Sequence, residues 1–219
     1  MAAEPACSTA SADPTAAPAA TTPPLVWDGA LRLFHWSLAL CFGVSWLTAE
    51  LGVEYTEWHM RSGYAILGLL MFRLLWGLLG NRFARFAALL PRPRRILAYA
   101  RTLPDRSAPA SAGHSPLAVL AVWTLLALLA IQAGSGLFTT DDIIYSGPYQ
   151  GAVSAATSDW MTDLHHSNFD WLRLMVGAHL AAVLFYALYK RQNLVRPMVS
   201  GRNPLLAAAQ AASPTPWWR

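Results

Sequence analysis

The stretch from Asp163 to Lys190, DLHHSNFDWLRLMVGAHLAAVLFYALYK, constrains this chain most, because it is apolar over the length of a membrane span yet holds histidines at two depths. From Phe169 to Tyr189 the only carboxylate, guanidinium or imidazole groups are Asp170 and Arg173 near the start and His179 in the middle. An imidazole at mid-membrane needs a partner. His165 and His179 are fourteen residues apart, which on a helix leaves them within roughly 40° of one face and about 21 Å apart along the axis. His166 falls about 220° around from His179 and faces elsewhere if the helix is regular.

Three more runs are long and apolar enough to span. The first covers about Ala30 to Thr48, with Asp28 as the expected N-cap and His35 inside it. The second runs from about His59 to Gly80. The third starts at Ser115 and Pro116, an N-cap followed by proline at the first helical position, and continues to about Phe138. Nothing repeats at a fixed period, so the expected fold is all-α, one integral membrane bundle of four helices over residues 25–202. Residues 1–24, rich in Ala, Pro, Ser and Thr, read as a disordered tail without the basic start and apolar core of an export signal. Residues 203–219 read as a second loose tail, whose Trp217 and Trp218 suit a membrane interface.

The formal charge of +4, with 55% hydrophobic and only 13% charged residues, raises the question of nucleic acid. The arginines lie in connections between apolar runs, so topology accounts for them and no nucleic-acid partner is expected. Arg82, Arg85, Arg92, Arg94, Arg95, Arg101 and Arg106 follow the second run, and Lys190, Arg191, Arg196 and Arg202 follow the fourth. The opposite connections carry Glu50, Glu54, Glu57, Asp141, Asp142, Asp159, Asp163 and Asp170. Both termini are therefore expected in the cytoplasm, and the acidic loops outside a bacterial inner membrane. Cys7 and Cys41 sit in no thiol metal motif and read as free thiols.

Orientation assigns depth to each histidine. His59 and His165 open their spans at the outer level. His35, thirteen residues from Thr48, lies about 20 Å below the outer boundary, level with His179. Four imidazoles from three helices thus sort into two pairs, His59/His165 outside and His35/His179 inside. A structural zinc would need four ligands at one point. Haem brings four nitrogens of its own, and two axial imidazoles complete the iron. Two haems held between the helices are expected; one haem with two structural histidines is the lesser reading. Gly63, Gly134, Gly136 and Gly177 leave room near the ligands, although small residues are common at membrane helix interfaces in any case.

Arg73, fourteen residues beyond His59, repeats the two-level spacing. It either pairs with a propionate of the inner haem or snorkels to the interface. Arg61 and Arg173 carry the same two readings at the outer level. His114 reads as an interface histidine, or as a titratable group for a proton-linked quinone reaction.

Taken together, LRLFHWSLA, HMRSGY, FRLLWGLLGNRFARF, GHSPLAVL, the passage from GLFTTDDI to SGPY, and AHLAAV resemble the bacterial cytochrome b561 family, which is related to the b-type cytochrome subunit of nickel-iron hydrogenases. The resemblance covers about residues 25–202. It implies a membrane cytochrome with b-type haems that passes electrons between quinone or quinol and another redox protein, such as a periplasmic cytochrome c or a hydrogenase-like subunit. Carried over by position, the family's ligands fall on His35, His59, His165 and His179. The other expectations are a quinone-linked oxidoreductase acting directly on a small donor, and a haem-free transport or assembly scaffold.

Overall fold

The computed structural model describes residues 25–81, 83–106 and 113–203. The leading tail, the chain beyond Asn203 and Arg82 lie outside the described residues, and so do Cys7, Trp217 and Trp218. Among the described residues, four helices are long and apolar enough to cross a membrane. Helix α1 (Gly29–Leu51) starts where Asp28 accepts from the Leu31 amide at 2.7 Å, satisfying a donor that the first turn leaves unpaired. Helix α2 (Thr56–Leu79) follows a single 3-10 turn at Val53–Tyr55. After a short helix α3 (Pro93–Arg101), α4 (Pro116–Ser135) begins as its sequence signals predict, with Ser115 capping Ala118 and proline in the first turn. Helix α5 (Ala155–Leu188) is capped by Ser154, and a short α6 (Val195–Ser200) closes the described chain.

The spans pair as two hairpins, α1 with α2 and α4 with α5, joined where α2 meets α4. Two small cores fix this arrangement. Val26, Trp27, Leu31, Phe34 and Ala84 fill one end, and Ile66, Leu129 and Leu172 fill the middle. Cys41, a free thiol, packs beside the second. Most other large apolar side chains, among them Leu33, Leu40, Leu78 and Leu180, point outward. In water such a surface would be unfavourable; against acyl chains it is the expected solution.

Both ends of the described chain meet at one end of the bundle, as four spans require. The Val26 and Trp27 amides donate to the Gly201 carbonyl at 2.8 and 3.1 Å. Gly201 has φ +79°, and a Cβ there would lie 2.6 Å from the Trp27 carbonyl oxygen, so glycine is needed twice over. At the same end the turn Phe86–Leu89 folds back under the bundle. The Phe86 ring stacks on Trp123 with ring centres 5.1 Å apart, and Trp123 Nε1 donates to the Leu89 carbonyl at 2.7 Å. The backbone of Gly77 lies so near that a Cβ would meet the Phe86 ring at 2.2 Å.

Two departures from expectation concern helix α5 and the segment before α4. α5 begins at Ala155, well before the apolar run at Phe169, so Asp159, Asp163 and Asp170 ride on helix and not in a loop. Its 34 residues make about 51 Å of helix, against a hydrocarbon thickness near 30 Å. It projects from the membrane at its N-terminal end. Helix α3 lies within what the sequence suggests only as a basic connection.

Candidate functional site

Helix α5 carries His165 and His179 on one continuous helix, and each faces a histidine from the other hairpin. The ring centres of His35 on α1 and His179 are 6.5 Å apart, and those of His59 on α2 and His165 are 6.1 Å apart. All four rings are half-buried. The sequence-expected pairs are thus the neighbours in space. His166 is exposed, and its ring stands edge-on to that of His165.

The outer pair is oriented by backbone carbonyls. Nδ1 of His59 donates to the Ser45 carbonyl at 2.9 Å, and Nδ1 of His165 donates to the Gln132 carbonyl at 2.9 Å. A ring that spends its Nδ1 proton this way keeps a lone pair on Nε2, the tautomer a metal-binding histidine needs. Gln132 also donates from Nε2 to the His165 carbonyl at 3.0 Å and accepts from Asn168 Nδ2 at 2.7 Å. This polar latch between α4 and α5 was not anticipated. Its signal was present: Gln132 is the only amide in an otherwise apolar run, and Asn168 follows His165 by one turn.

A cavity of about 490 Å³ opens around the outer pair, lined by Phe42, Gly63, Ile66, Leu129 and Phe169 among others, with Thr139, Asp141 and Ser146 at its rim. A Cβ on Gly63 would meet no atom within 4 Å, whereas one on Gly136 would come within 3.0 Å of the His165 ring. So Gly136 permits the close seating of that ring. At the rim, Asp141 Oδ1 accepts from the amides of Ile143, Ile144 and Tyr145 at 3.0, 2.9 and 2.8 Å. These bonds hold its carboxyl below the usual carboxylate range.

At the inner level Nδ1 of His35 is buried with no hydrogen-bond partner. Seven residues before His35, the start of α1 is tied to α2 by Trp76 Nε1 donating to Asp28 Oδ2 at 3.1 Å. Arg73 is only 3% exposed, and its guanidinium lies over the Phe86 ring, 4.9 Å from the centroid, with one terminal nitrogen unpaired. It does not reach the surface. Arg61 and Arg173 behave differently: both are exposed and pair with acids on their own helices, Glu57 at 2.5 Å and Asp170 respectively. His114, just outside α4, packs edge-on against Trp27 with ring centres 4.6 Å apart. Burial, and then the nearby Arg73 cation, pull its imidazole down to about 4.

Among the described residues no group of three His, Cys, Asp or Glu that could hold a metal ion converges, and the histidines of the two hairpins face each other in twos. No curated protein and no solved structure matches the chain. The family model described as prokaryotic cytochrome b561 matches residues 26–201, which is nearly all of the described chain. With four apolar spans and histidine pairs between them, the chain belongs to the prokaryotic cytochrome b561 family and is a membrane b-type cytochrome of electron transfer.

Proposed function

We propose that the chain holds two b-type haems, one between His35 and His179 and one between His59 and His165, and passes electrons across the bacterial inner membrane between the quinone pool and a periplasmic redox partner. The observation that carries this reading is the spacing of the two pairs. An ion bound by two imidazoles at the usual bond of about 2 Å needs ring centres roughly 6 Å apart, and the pairs sit at 6.5 and 6.1 Å. The donor set agrees. The carbonyls of Ser45 and Gln132 fix the outer tautomers, and the orphaned Nδ1 of His35 is a buried polar atom whose isolation costs about 1–3 kcal/mol until a partner is supplied. Gly63 leaves open space beside the outer pair. Haem b with two axial imidazoles exchanges single electrons and keeps no position free for oxygen.

The remaining parts of the reading concern what the chain does around those groups. Arg73, buried with an unpaired terminal nitrogen, would hold an inner propionate by a charge-assisted hydrogen bond. The bundle end with α3, both described chain ends and most arginines faces the cytoplasm, and the acidic end with Asp141 and Asp142 faces the periplasm. Residues 25–202 are the working domain and the tails flank it. The acidic face would attract a basic partner such as a cytochrome c, or seat a hydrogenase-like subunit.

Haem content of the purified protein tests the cofactor reading. Two b-type haems per chain, reducible by quinol, are expected. A colourless, folded protein would leave the transport or assembly scaffold, one haem per chain would remove the second site, and reduction by a small donor without a protein partner would make it an oxidoreductase in its own right.

A further inference from the structure

Helix α3 is nine residues long and strongly two-sided. Ile96, Tyr99 and Ala100 turn toward the bundle, while Arg94, Leu97 and Arg101 lie together on another face. Arg94 and Arg101 are seven residues apart, so they fall within roughly 20° of each other and about 10 Å apart along the axis, with Leu97 between them. All three are exposed, Leu97 by 57%. Among the described residues neither arginine has an acidic partner.

The depth of α3 follows from its ties to α5. The hydroxyl of Tyr99 is hydrogen-bonded to that of Tyr186 at 2.6 Å, in the last turn of that span. Tyr189 donates to the Pro104 carbonyl at 2.8 Å, and Lys190 donates from Nζ to the Thr102 carbonyl at 3.1 Å and to that of Asp105. The helix is therefore pinned within about one turn of where α5 leaves the hydrocarbon. A leucine flanked by two exposed arginines at that depth meets neither bulk water nor the membrane centre.

We propose that the Arg94–Leu97–Arg101 face of α3 is a binding stripe for anionic phospholipid, with Leu97 against the acyl chains and the two guanidiniums on headgroup phosphates. Charge complementarity selects this occupant: the stripe has two cations without acidic partners among the described residues, an apolar side chain between them and a fixed position at the headgroup layer. A soluble acidic protein would not require Leu97 to face outward at that level. The proposal depends on the four spans and not on the cofactors.

The test uses the full chain in nanodiscs of phosphatidylcholine with a tracer of spin-labelled phosphatidylglycerol, measuring its preference at the protein surface over labelled phosphatidylcholine. The wild type should prefer phosphatidylglycerol, and Arg94→Gln and Arg101→Gln should each lower that preference about fivefold, the worth of one surface arginine near an anionic headgroup. Arg94→Lys with Arg101→Lys, which keeps the charges, should retain most of it, as should Arg196→Gln at the same end of the bundle. No preference in the wild type would overturn the proposal and leave a protein partner as the reading of the stripe. Equal loss in Arg196→Gln would mean diffuse charge with no stripe, loss in a double lysine variant that stays folded would mean that positive charge is not what the stripe supplies, and release of the label by soluble glycerol phosphate would mean a site for free phosphate. Each of these outcomes counts against it.

Discussion

Replacing Arg73 by glutamine should lower the midpoint potential of the haem assigned to His35 and His179. Its cation lies near that centre in the proposed arrangement, and a positive charge favours the reduced form, which carries one positive charge fewer. The distance follows from helix register. Ser45 faces His59 and Asp28 faces Trp76, so on antiparallel helices Arg73 stands opposite Leu31. His35 is one turn deeper, about 6 Å along the axis, and with the width of the bundle the charge is about 10 Å from the iron position. At an effective dielectric near 20 this amounts to about 1.7 kcal/mol, or about 70 mV for a one-electron couple. The nearby Asp28 carboxylate offsets part of that field, so a fall of about 30–70 mV is expected. Burial to 3% exposure keeps salt from screening it. Redox titration of the purified variant reads both centres, and the outer one, a further 21 Å or so away along α5, should barely move. If both haems are retained and neither potential shifts, Arg73 does not act on the inner cofactor and the argument fails.

The four ligand variants should lose haem in pairs. His35→Ala and His179→Ala should each remove one spectroscopic centre, and His59→Ala and His165→Ala should each remove the other; a crossed pattern in haem content would break the assignment. His166→Ala should keep both, because α5 is helical from Ala155 and leaves His166 exposed, and loss of the outer centre there would transfer the ligand role from its neighbour. His114, held neutral down to about 4 in the fold against about 6.5 when unfolded, takes a proton in the unfolded state first. Its contribution is therefore complete above about 6.5 and is lost as the pH falls toward 4. As the pH falls through that window, wild type should lose melting temperature relative to His114→Phe, and a difference that stays constant with pH would contradict the burial of this ring.

The pairs were legible in the sequence because a helix converts residue count into depth. Fourteen residues between His165 and His179 are the same 21 Å or so whatever surrounds them, and Arg/Lys placement decides which histidines share a level. The start of α5 was not legible. Its first three turns, AATSDWMTDL, have no apolar run, since helical turns beyond the membrane need no greasy face, and only the Ser154 cap marks where they begin. Arg73 remained between two readings for a related reason. What keeps it from the surface is Phe86, thirteen residues later in a 3-10 turn that folds back against Gly77, and no periodicity announces such a contact. Gln132 was visible as an oddity in an apolar helix, but its carbonyl, which holds His165, belongs to the backbone and has no sequence signature at all.

One continuous α5 carries a histidine at each level, whereas α1 and α2 carry one apiece. If both sites are filled as proposed, the two irons are mounted on a single rod, and tilting that rod in bilayers of different thickness carries them together without changing the gap an electron must cross. Loosening of the α1–α2 hairpin would act differently. Each centre would lose its second imidazole while staying attached to α5, so damage to this protein should register first as a change in coordination and only later as a change in spacing.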